Sequence, residues 1–81
     1  MKTIKDLINR ILWDKKEDKE DYSLFYIDRI TKKDVEIKGR DIKRAEGSFI
    51  IVARDGEEAE IPMHRIRAVK KKGMVVWVRG K

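Results

Sequence analysis

Four side chains near the end of this 81-residue sequence stand out: His64, Arg65, Trp77 and Arg79. His64 is the chain's one histidine. It lies two residues after the one proline, Pro62, and Arg65 follows it directly. At such a corner an imidazole and a guanidinium can both donate to a single phosphate. Trp77 and Arg79 are two positions apart in Val75-Val76-Trp77-Val78-Arg79, so on a strand they share a face. The indole there either fills the end of a small core or offers a stacking surface worth about 1–3 kcal/mol per base. Carboxylates are missing from the whole region. After Glu60 come Arg65, Arg67, Lys70, Lys71, Lys72, Arg79 and Lys81 without one acid; as the net charge is +6, the chain ahead of His64 sums to −1. A basic, apolar-ribbed segment with an imidazole and an indole suits a ligand that is anionic and planar, and RNA is both. The alternative is a hairpin with a solvated cationic rim.

Much other chemistry is excluded. With no cysteine and one histidine, disulfides, thiolate metal sites and the usual zinc ligand sets are out of reach, and no metal or cofactor is expected. There is no glycine-rich phosphate loop. Ser23 and Ser48 lack a second histidine or a nucleophile-elbow context. Metal-free opening of a cyclic phosphate needs two proton-transfer groups flanking the phosphate, and His64 stands alone. His64 with a lysine or aspartate leaves a small metal-independent phosphodiesterase or ribonuclease as an alternative, but a non-enzymatic role is the expectation. No apolar run approaches a membrane span and no signal segment is evident, so a cytoplasmic protein with no membrane partner is expected. A charged fraction of 44% fits the ion-pair-rich style of thermostable proteins.

The elements that must position these groups fit one domain, residues 1–81, with a thin core. Ile4, Leu7, Ile8, Ile11 and Leu12 recur at helical spacing, which predicts an amphipathic helix over 3–13 with Thr3 as N-cap and Trp13 closing its last turn. Residues 14–21 (DKKEDKED) read as a solvated loop; Lys15 and Lys16 could reach a phosphate, but five acids around three lysines argue against a polyanion surface. Strands are expected at about 22–30, 34–38, 48–53, 58–61, 65–71 and 74–79, and Arg40 to Glu46 fits a short strand, a helical turn or a loop equally well. The first strand is apolar on both faces, with Tyr22, Leu24, Tyr26 and Ile30 on one, and so belongs inside its sheet. Asp28 and Arg29 at its end must be ion-paired or functional. Asp55-Gly56 signals a hairpin, and Pro62 ends a strand or runs along an edge. The fold class is α+β: the helix packed on a strongly curved antiparallel sheet of five or six strands, open or partly closed into a barrel.

Leu12-Trp13-Asp14-Lys15, Tyr22 with Tyr26-Ile27-Asp28-Arg29, Gly39 with Asp41-Ile42, Ile61-Pro62-Met63-His64-Arg65-Ile66 and Val75-Val76-Trp77-Val78-Arg79 together resemble a family of small archaeal proteins described as the RNA cyclic-group end-recognition domain. The likeness spans nearly the whole chain. It implies recognition of RNA ends bearing 2′,3′-cyclic phosphate, as an accessory to RNA repair or processing, with RNA-processing enzymes as further partners. Its polar set falls on Asp28, Arg29, His64, Arg65, Trp77 and Arg79. Met63 stands where an aromatic is common in the family, so stacking would fall to Trp77, Tyr22 or Trp13. On this basis Arg29, Arg65 and Arg79 would clamp a terminal phosphate, His64 would hydrogen-bond it and Trp77 would stack on the last base. Asp28, Tyr22, Lys70, Lys71 and Lys72 would support them, the lysines by attraction that weakens with salt. A protein-interaction module docking through the apolar edge near Pro62 is the remaining alternative.

Overall fold

In the computed structural model, which describes residues 3–79, the expected helix is α1, Ile4–Trp13. Gly80 and Lys81, the end of the basic run, lie outside the described residues. The Thr3 hydroxyl accepts from the Asp6 amide at 3.1 Å, and the Asp14 amide donates to the Arg10 carbonyl at 3.0 Å, so both ends are capped. Leu7, Ile8 and Ile11 form the buried stripe. Trp13 does not close the last turn against the core but points outward, 76% exposed. No helix among the described residues is long and apolar enough to cross a membrane.

Seven strands follow among the described residues: β1 Tyr22–Ile27, β2 Asp34–Lys38, β3 Ile42–Glu46, β4 Phe49–Arg54, β5 Glu57–Pro62, β6 Ile66–Lys71 and β7 Met74–Val78. Among the described residues they form two antiparallel sheets, in the orders β2-β1-β6-β7 and β3-β4-β5, with no closed barrel. The chain leaves the first sheet through a 3-10 turn at Gly39–Asp41 and returns to it through another at Met63–Arg65. Each corner takes the backbone out of the ladder, so β2 does not pair on into β3, nor β5 into β6. The residues leaving the corners, Ile42 and Ile66, are both fully buried. With Ile8, Leu24, Ile50 and Val69 they tie the helix and both sheets into one hydrophobic cluster.

As its two apolar faces require, β1 lies inside its sheet between β2 and β6. Tyr22, Leu24 and Tyr26 are buried, and Ser23, Phe25 and Ile27 half-buried. The strand stops at Ile27, three residues earlier than expected. Asp28 ends it: its carboxylate accepts from the amides of Ile30 at 2.8 Å and Thr31 at 3.4 Å, an aspartate-built turn that competes with the ladder. Ile30 is therefore not on the inward face at all; it is 91% exposed. Pro62 sits at the end of β5, an edge strand, opposite Phe49. Asp55-Gly56 and Lys72-Gly73 all have positive φ (51° and 80°, 51° and 83°), the conformation of two-residue hairpin turns that follow the sheet's twist.

The 14–21 loop ends in a 3-10 turn, Lys19–Asp21, and is tied down at Lys19, at Asp21 and, through its side chain, at Glu17. Glu17 accepts from the Tyr22 hydroxyl and from the Lys71 ammonium, each at 2.9 Å, and Arg10 lies 3.6 Å away. Its carboxylate is held below its ordinary value of 4.5, first by the Lys71 hydrogen bond and then by that of Tyr22. The folded state thus favours the ionised form, so the stability Glu17 contributes is present above about pH 4.5 and is lost as the pH falls through its folded-state value. Thermal unfolding followed from pH 7 to pH 3 should show a drop below pH 4.5 that is shallower in Glu17→Gln. Parallel curves would mean the interaction is thermodynamically idle.

Candidate functional site

The Met63–Arg65 corner sorts its side chains by geometry. A 3-10 turn has three residues per turn, so successive side chains leave roughly 120° apart. Met63 points into the core, 4% exposed, His64 is exposed on one flank and Arg65 is half-buried on another. The corner is fixed from both sides. The Met63 amide donates to the Ser48 carbonyl at 2.8 Å, and the Arg79 guanidinium donates to the carbonyls of Met63 at 2.9 Å and Ile66 at 3.0 Å. Arg79 also lies over the Trp77 ring, 5.3 Å from its centroid. Arg79 is thus the brace of the corner that carries His64 and Arg65.

Arg65 opens into a hollow of about 310 Å³ that it shares with Arg29, at the tip of the β1–β2 hairpin, and Arg54, at the end of β4. The Tyr26 hydroxyl, 2.8 Å from Arg54, accepts its hydrogen bond and pins that guanidinium. This bond is the main reason Arg54 is held above its ordinary value, with Asp55 and Asp28 adding to it. None of the three arginines forms an ion pair among the described residues. Two carboxylates, Asp28 and Glu60, also line the hollow, and that of Asp28 is occupied by the turn amides. Three guanidiniums against two carboxylates leave one net positive charge facing a cleft open to solvent. Arg54 escapes a reading of the sequence because it looks like a turn flank before Asp55-Gly56, and its partner Tyr26 is 28 residues away.

The clamp expected from Arg29, Arg65 and Arg79 together is divided. His64 and Arg79 line a separate hollow of about 270 Å³ with Thr3, Lys5 and Ser48, beside the start of α1. Trp77, Tyr22 and Lys71 line a third, of about 250 Å³. Tyr22 is 4% exposed and offers no face for stacking. Burial foremost, and then its bond to Glu17, raises its phenol above the ordinary value and keeps the proton on. Lys71 is paired with Glu17 and lies over the Tyr22 ring at 5.6 Å, a bolt between loop and sheet. The Lys70 ammonium sits 5.1 Å from the Phe25 ring centroid, and Lys72 is exposed in the β6–β7 turn. Asp28 shapes the hairpin that presents Arg29.

Comparison with known proteins gives a consistent result. A family model described as the MJ1316 RNA cyclic group end recognition domain matches residues 1–79. A UPF0248 protein of Metallosphaera sedula is 40% identical over 77 residues, covering 95% of this chain and 92% of the relative. One from Saccharolobus solfataricus is 34% identical over 80 residues, covering 95% and 96%. Another, from Saccharolobus islandicus, is 30% identical over 79 residues, covering 94% and 98%. No solved structure matches significantly.

Proposed function

This chain belongs to the family of MJ1316 RNA cyclic group end recognition domains, and from its arginine-lined hollow we infer that it binds RNA termini, with a preference for 2′,3′-cyclic phosphate ends. The observation that carries this reading is the convergence of Arg29, Arg54 and Arg65 on one hollow with no ion-pair partner among the described residues. Guanidinium groups match phosphate oxygens with paired donors, and Arg54 is already oriented before any ligand arrives. In this reading the three arginines hold the terminal phosphate. His64, the next residue along the corner, contacts the neighbouring phosphate, and Arg79 holds the corner in place.

Charge favours a cyclic end. A cyclic phosphodiester carries one negative charge, whereas an open monophosphate carries about −1.5 to −2 at pH 7. The hollow's single net positive charge suits the former, and the Glu60 carboxylate repels the second charge of the latter. Binding of this kind reads an end and supports RNA repair or processing; no bond need be broken.

Titrating fluorescent oligonucleotides that end in cyclic phosphate, open phosphate or hydroxyl tests the reading. Cyclic ends should bind tightest, and His64→Ala should weaken binding of all three oligonucleotides about tenfold, the loss of one hydrogen bond to the neighbouring phosphate that each of them carries. Equal affinity for all three ends would remove end recognition and leave only general attraction to RNA.

A further inference from the structure

A hollow of about 540 Å³ lies away from the arginine cluster, where the end of α1 meets the following loop and β3. Its aromatic member is Trp13, whose indole is 76% exposed in a fold that buries its other apolar helix residues in whole or in part. Lys15, Lys19, Lys43 and Arg44 surround it, with Glu17 and Asp18 as the carboxylates. Of the five acids that make this stretch look unsuited to a polyanion, three have hydrogen-bond partners within the protein. Glu17 is tied to Lys71 and Tyr22, and the Asp18 carboxylate accepts from the Glu20 amide at 2.9 Å. Just outside the hollow, Asp14 accepts from the Lys16 amide at 2.8 Å. Of the cations, Arg44 is paired with Glu46 and Glu58, and Lys19 donates to the Ile42 carbonyl at 3.2 Å. Lys15 and Lys43 form no ion pair among the described residues.

An outward-facing indole flanked by unpaired ammonium groups is the arrangement by which single-stranded nucleic acid is held: a base stacks on the ring and the flanking phosphates meet the lysines. The volume is within the range of small-ligand sites and accommodates a nucleotide. We propose that the Trp13 hollow is a second RNA site, which stacks one unpaired base on Trp13 between Lys15 and Lys43 without regard to the chemistry of the RNA's end. It is independent of the arginine hollow, since it needs no terminal phosphate, and either site can fail a test that the other passes. Charge complementarity with a polyanion is what assigns the hollow to RNA rather than to a protein segment.

The test uses a ten-nucleotide oligouridylate with hydroxyl termini, titrated into the full chain at low salt with tryptophan emission and anisotropy both recorded. Emission of the wild type should be quenched on binding. Trp13→Ala should lose most of that quenching and bind roughly tenfold more weakly, the scale of one lost base stack. Lys43→Glu should weaken binding by a similar factor while keeping the quenching at saturation. Because Trp13 and Lys43 are exposed, both variants should melt close to the wild type, which a thermal scan checks. An oligouridylate that binds without quenching, that fails to bind, or that binds Trp13→Ala as tightly as the wild type overturns the proposal. Loss of end preference in Arg65→Ala with quenching intact would separate the two sites.

Discussion

Gly39→Ala should lower the melting temperature by more than ten degrees, the largest effect on folding expected of any single methyl group added to this chain. The reason is not a left-handed backbone but lack of space. A β-carbon on Gly39 would overlap the Lys19 carbonyl oxygen and come within 2.9 Å of that of Tyr22. Both obstacles are backbone atoms, which cannot rotate aside. Neither segment is free to move away: the Lys19–Asp21 turn is closed by a 3.0 Å bond from the Asp21 amide to Asp18, and the Asp21 carbonyl accepts from the Lys72 amide at 2.8 Å. On the other side Ile42, fully buried, holds the end of the Gly39 turn in the core. Overpacking typically costs about 1–3 kcal/mol, and a clash between backbones belongs at the top of that range. For a domain of this size about 3 kcal/mol corresponds to a fall of roughly 12–24 °C. Thermal unfolding by circular dichroism measures it directly. A variant melting within a few degrees of the wild type would show that the two turns are not locked together.

That contact also shows why part of the fold was legible and part was not. The helix, the hairpin at Asp55-Gly56, the central place of β1 and the edge at Pro62 all follow from local rules: apolar period, turn residues and a missing amide. Ile42–Glu46 did not resolve, because its apolar positions, Ile42 and Ala45, are three apart and fit a helical turn as well as a strand; its pairing with Ile50 to Val52 settles it from a distance. The division into two sheets was equally invisible. It depends on two corners whose sequences, Gly-Arg-Asp and Met-His-Arg, share no residue type at matching positions except through the buried isoleucine that follows each. Asp28 reads as ion-paired or functional, but its carboxylate is taken by the amides of its own turn rather than by an arginine.

For the site, types were legible and directions were not. His64 and Arg65 adjoin in sequence, and a strand or loop could aim them at one phosphate. A 3-10 turn sends them to different flanks instead. Arg79 reads as a phosphate ligand from charge alone, yet the carbonyls of Met63 and Ile66 already take two of its donors. Arg54 became important only because folding brought Tyr26 beside it. Burial then withdrew Tyr22 and left Trp13 in the open. The same positive charges thus serve three ends: bracing a corner, bolting a loop and facing solvent unpaired.

On the arginine hollow, Arg65→Ala should weaken binding of phosphate-ended RNA roughly thirtyfold while changing hydroxyl-ended RNA little. Arg65 is half-buried and forms no ion pair among the described residues, so its removal takes away a phosphate contact without stranding a protein partner. Loss of one charge-assisted phosphate contact costs about 2 kcal/mol, which is the thirtyfold quoted. Glu60→Gln should act in the opposite sense and on one ligand only. Glu60 is an exposed carboxylate on the lining, with no ion pair among the described residues, and it opposes a second phosphate charge more than a first. One extra charge near it costs about 1 kcal/mol in a water-accessible cleft, so the amide should narrow the preference for cyclic over open phosphate about fivefold. Lowering the pH from 7.5 to 5 should narrow it in the wild type as well, because the open monophosphate then gains a proton with its second pKa near 6. If Arg65→Ala spares phosphate-ended RNA, the hollow is not where the terminus sits. If Arg65→Ala acts as stated and Glu60→Gln leaves the preference unchanged, shape rather than charge excludes the open end.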